Sequence, residues 1–371
     1  MRVTPYYLDL SATLHIGKQG IEQEQTMSTA PADTLFAALL VASMEGGCPP
    51  DVWGRAFASA QTAPLWLGSA FPYAGGVRFY PRPLVDMAGY GLGSVDAKGL
   101  RRIAYVSEDI WQRILSGHTL SAVYPNGDDS SGAFLQDGLL WLTREEVDAL
   151  PTWMRQTTGR AGGRARPLRA LEHHAVWKDD QMPRVTVDRL QRGSEIYYTG
   201  RVAYASECGL WFPVAWRMAD ASACDSLTWR VLFERALSLL ADAGLGGDRS
   251  AGLGGFTWRV GADEDWPAPQ TGKAMVTLSR YHPSTQEMPT ALQGDAVRYG
   301  LISVAGYLFS AGQAAQRRRR LWFVQEGSVV TTTDAQGMGD LTDVRPTVGE
   351  FPHPVWRYGL AFPVPLEVPH A

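Results

Sequence analysis

Apolar and polar positions alternate over residues 3–14, a stretch rich in Tyr, Val and Thr, and this period of two predicts an opening strand. A polar loop covers residues 15–28. An apolar helix then begins near Pro31, with Pro31 and Asp33 in its first turn, where a proline ring is tolerated and a carboxylate meets the helix dipole. Leu35, Phe36, Leu39 and Leu40 recur at helical spacing and form the face that would meet a sheet. Strand, loop and helix in that order open a βα unit.

Further along, a second helix is predicted over residues 51–61, with short strands around 64–71 and 77–80. Residues 107–117 read as a short capped helix, and Thr143 and Glu146 have capping-box spacing. Strands at 185–188, 195–205 and 210–216 precede an amphipathic helix over about 226–243, with Trp229, Leu232, Phe233, Ala236 and Leu240 on one face. More strands follow near 256–260, 274–279, 297–305, 321–325 and 357–362. The pattern predicts an α+β protein with two ferredoxin-like (RRM-like) domains, residues 1–150 and 206–371, joined by a segment 151–205.

Composition supports a folded chain. With 45% hydrophobic and 19% charged residues in 371, there is ample apolar side chain for a core, which excludes a disordered or collagen-like protein. The net charge of −4 speaks against a uniformly basic surface, yet it is an average. Between residues 155 and 192, nine basic residues face Glu172, Asp179, Asp180 and Asp188, a local charge of +5 that leaves −9 for the remainder. Of 34 Lys plus Arg only Lys18, Lys98, Lys178 and Lys273 are lysine. Codon bias in a GC-rich genome accounts for such a ratio; the planar guanidinium also suits phosphate recognition and base stacking. Three cysteines without CxxC spacing point to a reducing compartment, with no disulfide framework and no structural zinc. No secretory signal is recognisable, and the longest apolar run, residues 34–44, is too short to cross a bilayer. A cytoplasmic protein with no membrane partner and no cofactor is expected.

Candidate chemistry is sparse. Residues 244–256 are glycine-rich around Arg249, and such a loop either connects elements or brings backbone N–H groups close to an anion. It follows a helix and precedes a strand and lacks Gly-Lys-Ser/Thr, so it is neither a dinucleotide fingerprint nor a Walker loop. His15 is a loop histidine or a general acid–base. Glu22 and Glu24 are a solvated pair or metal ligands. The adjacent His173 and His174 point to opposite faces if extended and make a poor chelate. Arg317 to Arg320 read as an exposed, aggregation-resistant strand edge. No catalytic motif and no metal site emerge.

Four segments carry a resemblance. His15-Ile-Gly followed by Ala32-Asp-Thr-Leu-Phe-Ala-Ala-Leu, the Tyr80-Pro-Arg-Pro turn after Phe71-Pro-Tyr, Pro183-Arg-Val-Thr-Val-Asp-Arg, and the glycine loop resemble, in order and spacing, the RAMP proteins of CRISPR effector complexes. Glu326-Gly-Ser-Val and His353-Pro-Val-Trp-Arg-Tyr-Gly resemble the ending of the type III-A branch that holds the crRNA handle. Ala32 stands where the pattern usually has Ser.

The resemblance implies a non-catalytic RNA-binding subunit for antiviral defence. Its partners would be the 5′ handle of the crRNA, a large polymerase- or cyclase-like subunit and a backbone RAMP subunit, with target RNA met only indirectly. A protruding thumb would lie within about residues 160–201. RNA contacts are expected from His15, Lys18, Asp33 and Thr34 in the opening motif, and from Arg82 in the Pro-Arg-Pro turn. Arg160, Arg164, Arg166, Arg184 and Arg189 would supply them from the basic segment, and Gly246, Gly247, Arg249, Ser250 and Gly252 from the loop. Tyr197 and Tyr198 offer stacking platforms. The backbone subunits of this family cleave RNA with an Asp in the loop after the first strand; here that loop, residues 17–28, has Glu22 and Glu24 but no Asp. The alternatives are a metal-independent endoribonuclease of CRISPR transcripts with His15 as general base, or the equivalent subunit of another type III complex.

Overall fold

The first strand, β1 (Arg2–Leu10), is largely buried and has strands paired along both of its edges. Cys208–Trp216 pairs antiparallel along one edge (Tyr6 opposite Phe212) and Phe256–Val260 along the other (Leu8 opposite Trp258). The computed structural model describes residues 1–17, 26–95, 97–125, 131–157, 164–188, 193–308, 316–346, 351 and 353–369, with the backbone alone for 184, 186–188 and 193–197. β1 ends four residues before the predicted limit. There Ser11 N and Ala12 N both turn to the Gly255 carbonyl, and Leu14 bridges to Val202 instead.

Ten strands make one mixed sheet. Its order runs Phe256–Val260, β1, Cys208–Trp216, Phe71–Ala74, Val77–Pro81, Tyr105–Ser107, Leu140–Thr143, Gly132–Leu135, with Leu65–Leu67 and Glu264–Asp265 at its margins. The Tyr105 and Leu140 strands are parallel. Helix α1 (Ala32–Glu45) follows β1, and a second long helix, Trp229–Ala243, follows Cys208–Trp216. The sequence β1, α1, Phe71–Ala74, Cys208–Trp216, Trp229–Ala243, Phe256–Val260 is therefore a β-α-β-β-α-β unit of ferredoxin-like order. The α+β class agrees with expectation. The strands of this unit, however, come from residues 2–260, so the sheet runs across residues 150 and 206. Beyond residue 270 the described residues build small antiparallel sheets, chiefly Val329–Thr331, Ala274–Thr277 and Pro363–Pro365, with one four-residue helix, Met288–Ala291.

The two long helices lie side by side, and the C-terminal sheets close over α1 through aromatic rings. Phe36 stacks on Tyr358 with centroids 5.0 Å apart, and Trp53, Phe57 and Trp229 complete the cluster. Each such ring stabilises by about 1.5–3 kcal/mol through burial. α1 has no side-chain N-cap of its own. Ala32 N donates instead to Ser69 Oγ at 2.9 Å, so a side chain 37 positions away takes up one of the free N–H groups of the first turn. The Thr143–Glu146 spacing is realised as well: Thr143 N and Oγ1 both donate to Glu146 at 3.0 Å, opening a 3-10 turn.

A long hairpin, Trp177–Asp188 with Gly193–Tyr204, leaves the sheet in unbroken register from Trp177–Tyr204 to Asp188–Gly193. Val185 and Tyr198 are exposed on it. No helix of the described residues is long and apolar enough to cross a membrane.

Candidate nucleic-acid interface

The glycine-rich loop is a clasp. Its backbone is pinned by Leu245 N to Gly254 O (2.8 Å), Gly254 N to Thr13 O (2.9 Å) and Gly247 N to His15 O (2.8 Å). Gly246 has φ +95°, and a Cβ there would sit 2.3 Å from the His15 carbonyl oxygen; one on Gly254 would sit 2.0 Å from that of Leu245. Only glycine fits either place. The loop thereby presents Arg249 and Ser250 outward, both exposed.

His15 is mostly buried at the junction of this loop with the hairpin. Its Nδ1 lies 2.5 Å from the Gly200 carbonyl, so the proton sits on that nitrogen and donates to the hairpin base. The ring edge packs where a side chain on Gly247 would otherwise stand.

Loop, α1 and C-terminal sheets enclose a cleft of about 480 Å³ lined by His15, Thr34, Gly246, Gly247, Arg249, Arg280, Tyr307, Arg318 and Arg357 among others. Four guanidiniums thus meet in one hollow. Beneath them lies Asp33, fully buried in the first turn of α1. Arg280 Nη1 is 3.4 Å from Asp33 Oδ1, and Arg357 Nη1 donates to Asp33 Oδ2. Burial alone would raise the Asp33 carboxyl; Arg280 and then Arg357 more than offset this and hold it below the usual carboxylate range. Arg318 donates from Nε to the Tyr307 carbonyl at 3.2 Å. Burial and the neighbouring Arg357 push its guanidinium down to about 10, with Asp33 opposing. Arg249 has no ion-pair or hydrogen-bond partner for its side chain among the described residues. Such a surplus of positive charge in a concave, partly dry site attracts polyanions. A second cavity, about 450 Å³, mixes Asp9, Asp148 and Glu207 with Arg155 and Arg259 and has no such surplus.

Of the residues singled out from the sequence, His15, Thr34, Gly246, Gly247 and Arg249 line the cleft, and Ser250 and Gly252 sit exposed beside it. Asp33 corrects one expectation: it offers nothing to a ligand directly, because both its oxygens face arginines and the residue has no exposed surface. Arg82 is also turned to another use, donating from Nε to the Ile103 carbonyl at 2.9 Å outside the cleft. Arg164 is exposed in a two-residue strand and Arg166 Nε donates to Gln156 O at 3.1 Å, both away from the cleft lining. Arg184 lies on the hairpin backbone. Lys18, Glu22, Glu24, Arg160 and Arg189 lie outside the described residues, and the side chain of Tyr197 is likewise outside them.

Sequence reasoning missed Arg280 and Arg318. Arg318 belongs to the four arginines expected at a strand edge; Arg317, Arg319 and Arg320 are exposed as expected, whereas Arg318 turns into the cleft. Arg357 stood inside the C-terminal motif without a role, and Arg280 carried no signal. His173 and His174 do take separate partners, Asp137 and the Ala170 carbonyl.

Residues 270–366 match the family model described as the CRISPR Csm4 C-terminal domain. A curated relative, the "CRISPR system Cms protein Csm4" of Thermococcus onnurineus (strain NA1), is 28% identical over 206 residues, 56% of this chain. The match spans 60% of that relative's length. Among solved structures, the fold is similar to a chain of a Csm3-Csm4 subcomplex in the type III-A CRISPR-Cas interference complex, at TM-score 0.63 and 13% identity over 99% of this chain and 100% of that one. It is also similar to a chain of a Csm1-Csm4 cassette in complex with cA4, at TM-score 0.54 and 18% identity over the whole of both. With a match to the Csm4 C-terminal domain over residues 270–366, a Csm4 relative 28% identical over about half of the chain and a shared fold from end to end, the chain is similar to the Csm4 proteins of CRISPR systems.

Proposed function

We propose that the chain is a non-catalytic, cytoplasmic subunit of a type III CRISPR interference complex, and that it grips the repeat-derived 5′ handle of the crRNA. The observation that carries this reading is the cleft in which Arg249, Arg280, Arg318 and Arg357 converge beside the glycine clasp. Guanidiniums there neutralise phosphates, and Tyr307, 44% exposed at the rim, offers a stacking face for an unpaired base. The long hairpin is our candidate for the thumb at the handle–guide boundary. Relatives of the same fold were solved with Csm1 and with Csm3, which supports a large subunit and a backbone subunit as protein partners.

The test is a salt titration with RNA that contains the CRISPR repeat. Wild type should lose affinity by orders of magnitude between about 50 and 200 mM salt, and Arg249→Ala with Arg318→Ala should weaken binding and flatten the slope by about 0.7 for each lost contact. Affinity that does not change over that range overturns the reading. The rival, cleavage with His15 as general base, is separated by incubating the protein with a repeat-containing transcript. Its engagement with Gly200 supports an anchoring role for His15; specific cleavage abolished by His15→Ala would favour the rival.

A further inference from the structure

We propose that Asp33 is the positioning residue of a phosphate seat on the floor of the cleft: it holds Arg280 and Arg357 side by side so that together with Arg318 they take one backbone phosphate of the RNA. This rests on the RNA-binding reading above and adds a residue that touches no ligand.

The carboxylate serves one arginine with each oxygen, Oδ1 to Arg280 and Oδ2 to Arg357. One negative charge is thereby spread over two cations, and Arg318 adds a third. Glu326 offsets part of the surplus and leaves one net positive charge over Asp33, Glu326, Arg280, Arg318 and Arg357. It lies 3.8 Å from Arg280 Nε and accepts the closer hydrogen bond, 2.7 Å, from Ser69 Oγ. Arg280 is only 4% exposed, yet its Nε has no hydrogen-bond partner among the described residues. The three arginines come from separate places, one after the Ala274–Thr277 strand, one after Gln316–Arg317 and one within Trp356–Tyr358. Their mutual repulsion would drive them apart. Asp33, fixed in the first turn of α1, is the group that gathers two of them, and the Ala305 carbonyl, 3.4 Å from Arg357 Nη2, orients the second fork.

The two possible roles of Asp33 predict opposite signs. If the carboxylate merely tempers the charge of the cleft, Asp33→Asn leaves one more positive charge and RNA binds more tightly. If it positions the arginines, the same variant binds RNA more weakly although the cleft is more positive. We expect Asp33→Asn to lose about tenfold or more in affinity for repeat-derived RNA, with a salt slope shallower by about 0.7 for the phosphate given up. Arg357→Lys preserves charge but not the two-pronged contact, and should also lose affinity several-fold. A folded Asp33→Asn protein, checked by circular dichroism, that binds as well as or better than wild type overturns the proposal. Where Asp33→Asn does not fold, wild-type affinity in Arg357→Lys overturns it. Wild type that binds no RNA in a salt-dependent manner fails the functional reading itself, a distinct result.

Discussion

The main chains of His15 and Gly246 run side by side as a parallel β-bridge, joining the chain just past β1 to the glycine clasp 231 positions later. The contact works because Gly246 has no Cβ and occupies φ +95°. Gly252, in the same loop, has φ +81° but open space where a Cβ would go.

Gly246→Ala should therefore destabilise the protein by about 2 kcal/mol or more, from left-handed strain plus collision with the His15 carbonyl. Gly252→Ala meets the strain alone and should cost about 1 kcal/mol. Urea unfolding midpoints compare the two, and equal shifts would contradict this account of the clasp.

His15→Ala removes the donor that holds the Gly200 carbonyl at the base of the hairpin. Faster hydrogen exchange is expected around residues 199–204 and at Gly247, with the sheet strands unchanged. Unaltered exchange there would mean that His15 is not the anchor.

Arg78 is buried between Glu108 and Glu264, with Nη2 2.6 Å from the first and Nη1 2.7 Å from the second, and its guanidinium lies 5.0 Å from the Trp211 ring centre. Arg78→Ala leaves two carboxylates facing each other and opens a space over the indole. A loss of about 2–4 kcal/mol is expected in denaturant unfolding, because removal of one partner strands the others. A loss below about 1 kcal/mol would show the pair to be solvated.

Asp33 gives a pH signature. Its folded pKa lies below the unfolded value of about 3.9, so the stabilisation is fully present above about pH 4 and is lost as pH falls through the folded pKa. Arg357→Gln removes part of what depresses it. Wild type should be the more stable protein near pH 6, and the gap between the two melting temperatures should narrow as pH drops below about 4. Parallel curves would exclude Asp33 as the source.

Much of the element pattern was legible locally. The amphipathic helix over Trp229–Ala243 and the strand Phe256–Val260 follow from periodicity, because one face of each is packed and the other is not. The glycine clasp was visible for a related reason: positive φ and close backbone approach leave a mark in composition. Where local signal was absent, reasoning from the sequence went astray. β1 reads on to residue 14 because its alternation continues, but the Gly255 carbonyl turns the chain at Ser11. Nothing local announces that Ser69, 37 positions on, accepts from Ala32 N in the first turn of α1.

The basic surface divides the same way. By itself the sequence determined that the chain folds as α+β, that its net charge of −4 conceals a basic segment, and that Arg249 sits in a glycine loop. Only the tertiary structure decided that Arg280, Arg318 and Arg357 join Arg249, and that Asp33 lies under them instead of facing a ligand. The reason is physical. A helix or strand follows from neighbours a few positions apart, whereas a charge cluster is assembled by packing, from residues that share no period and nothing in sequence but their charge.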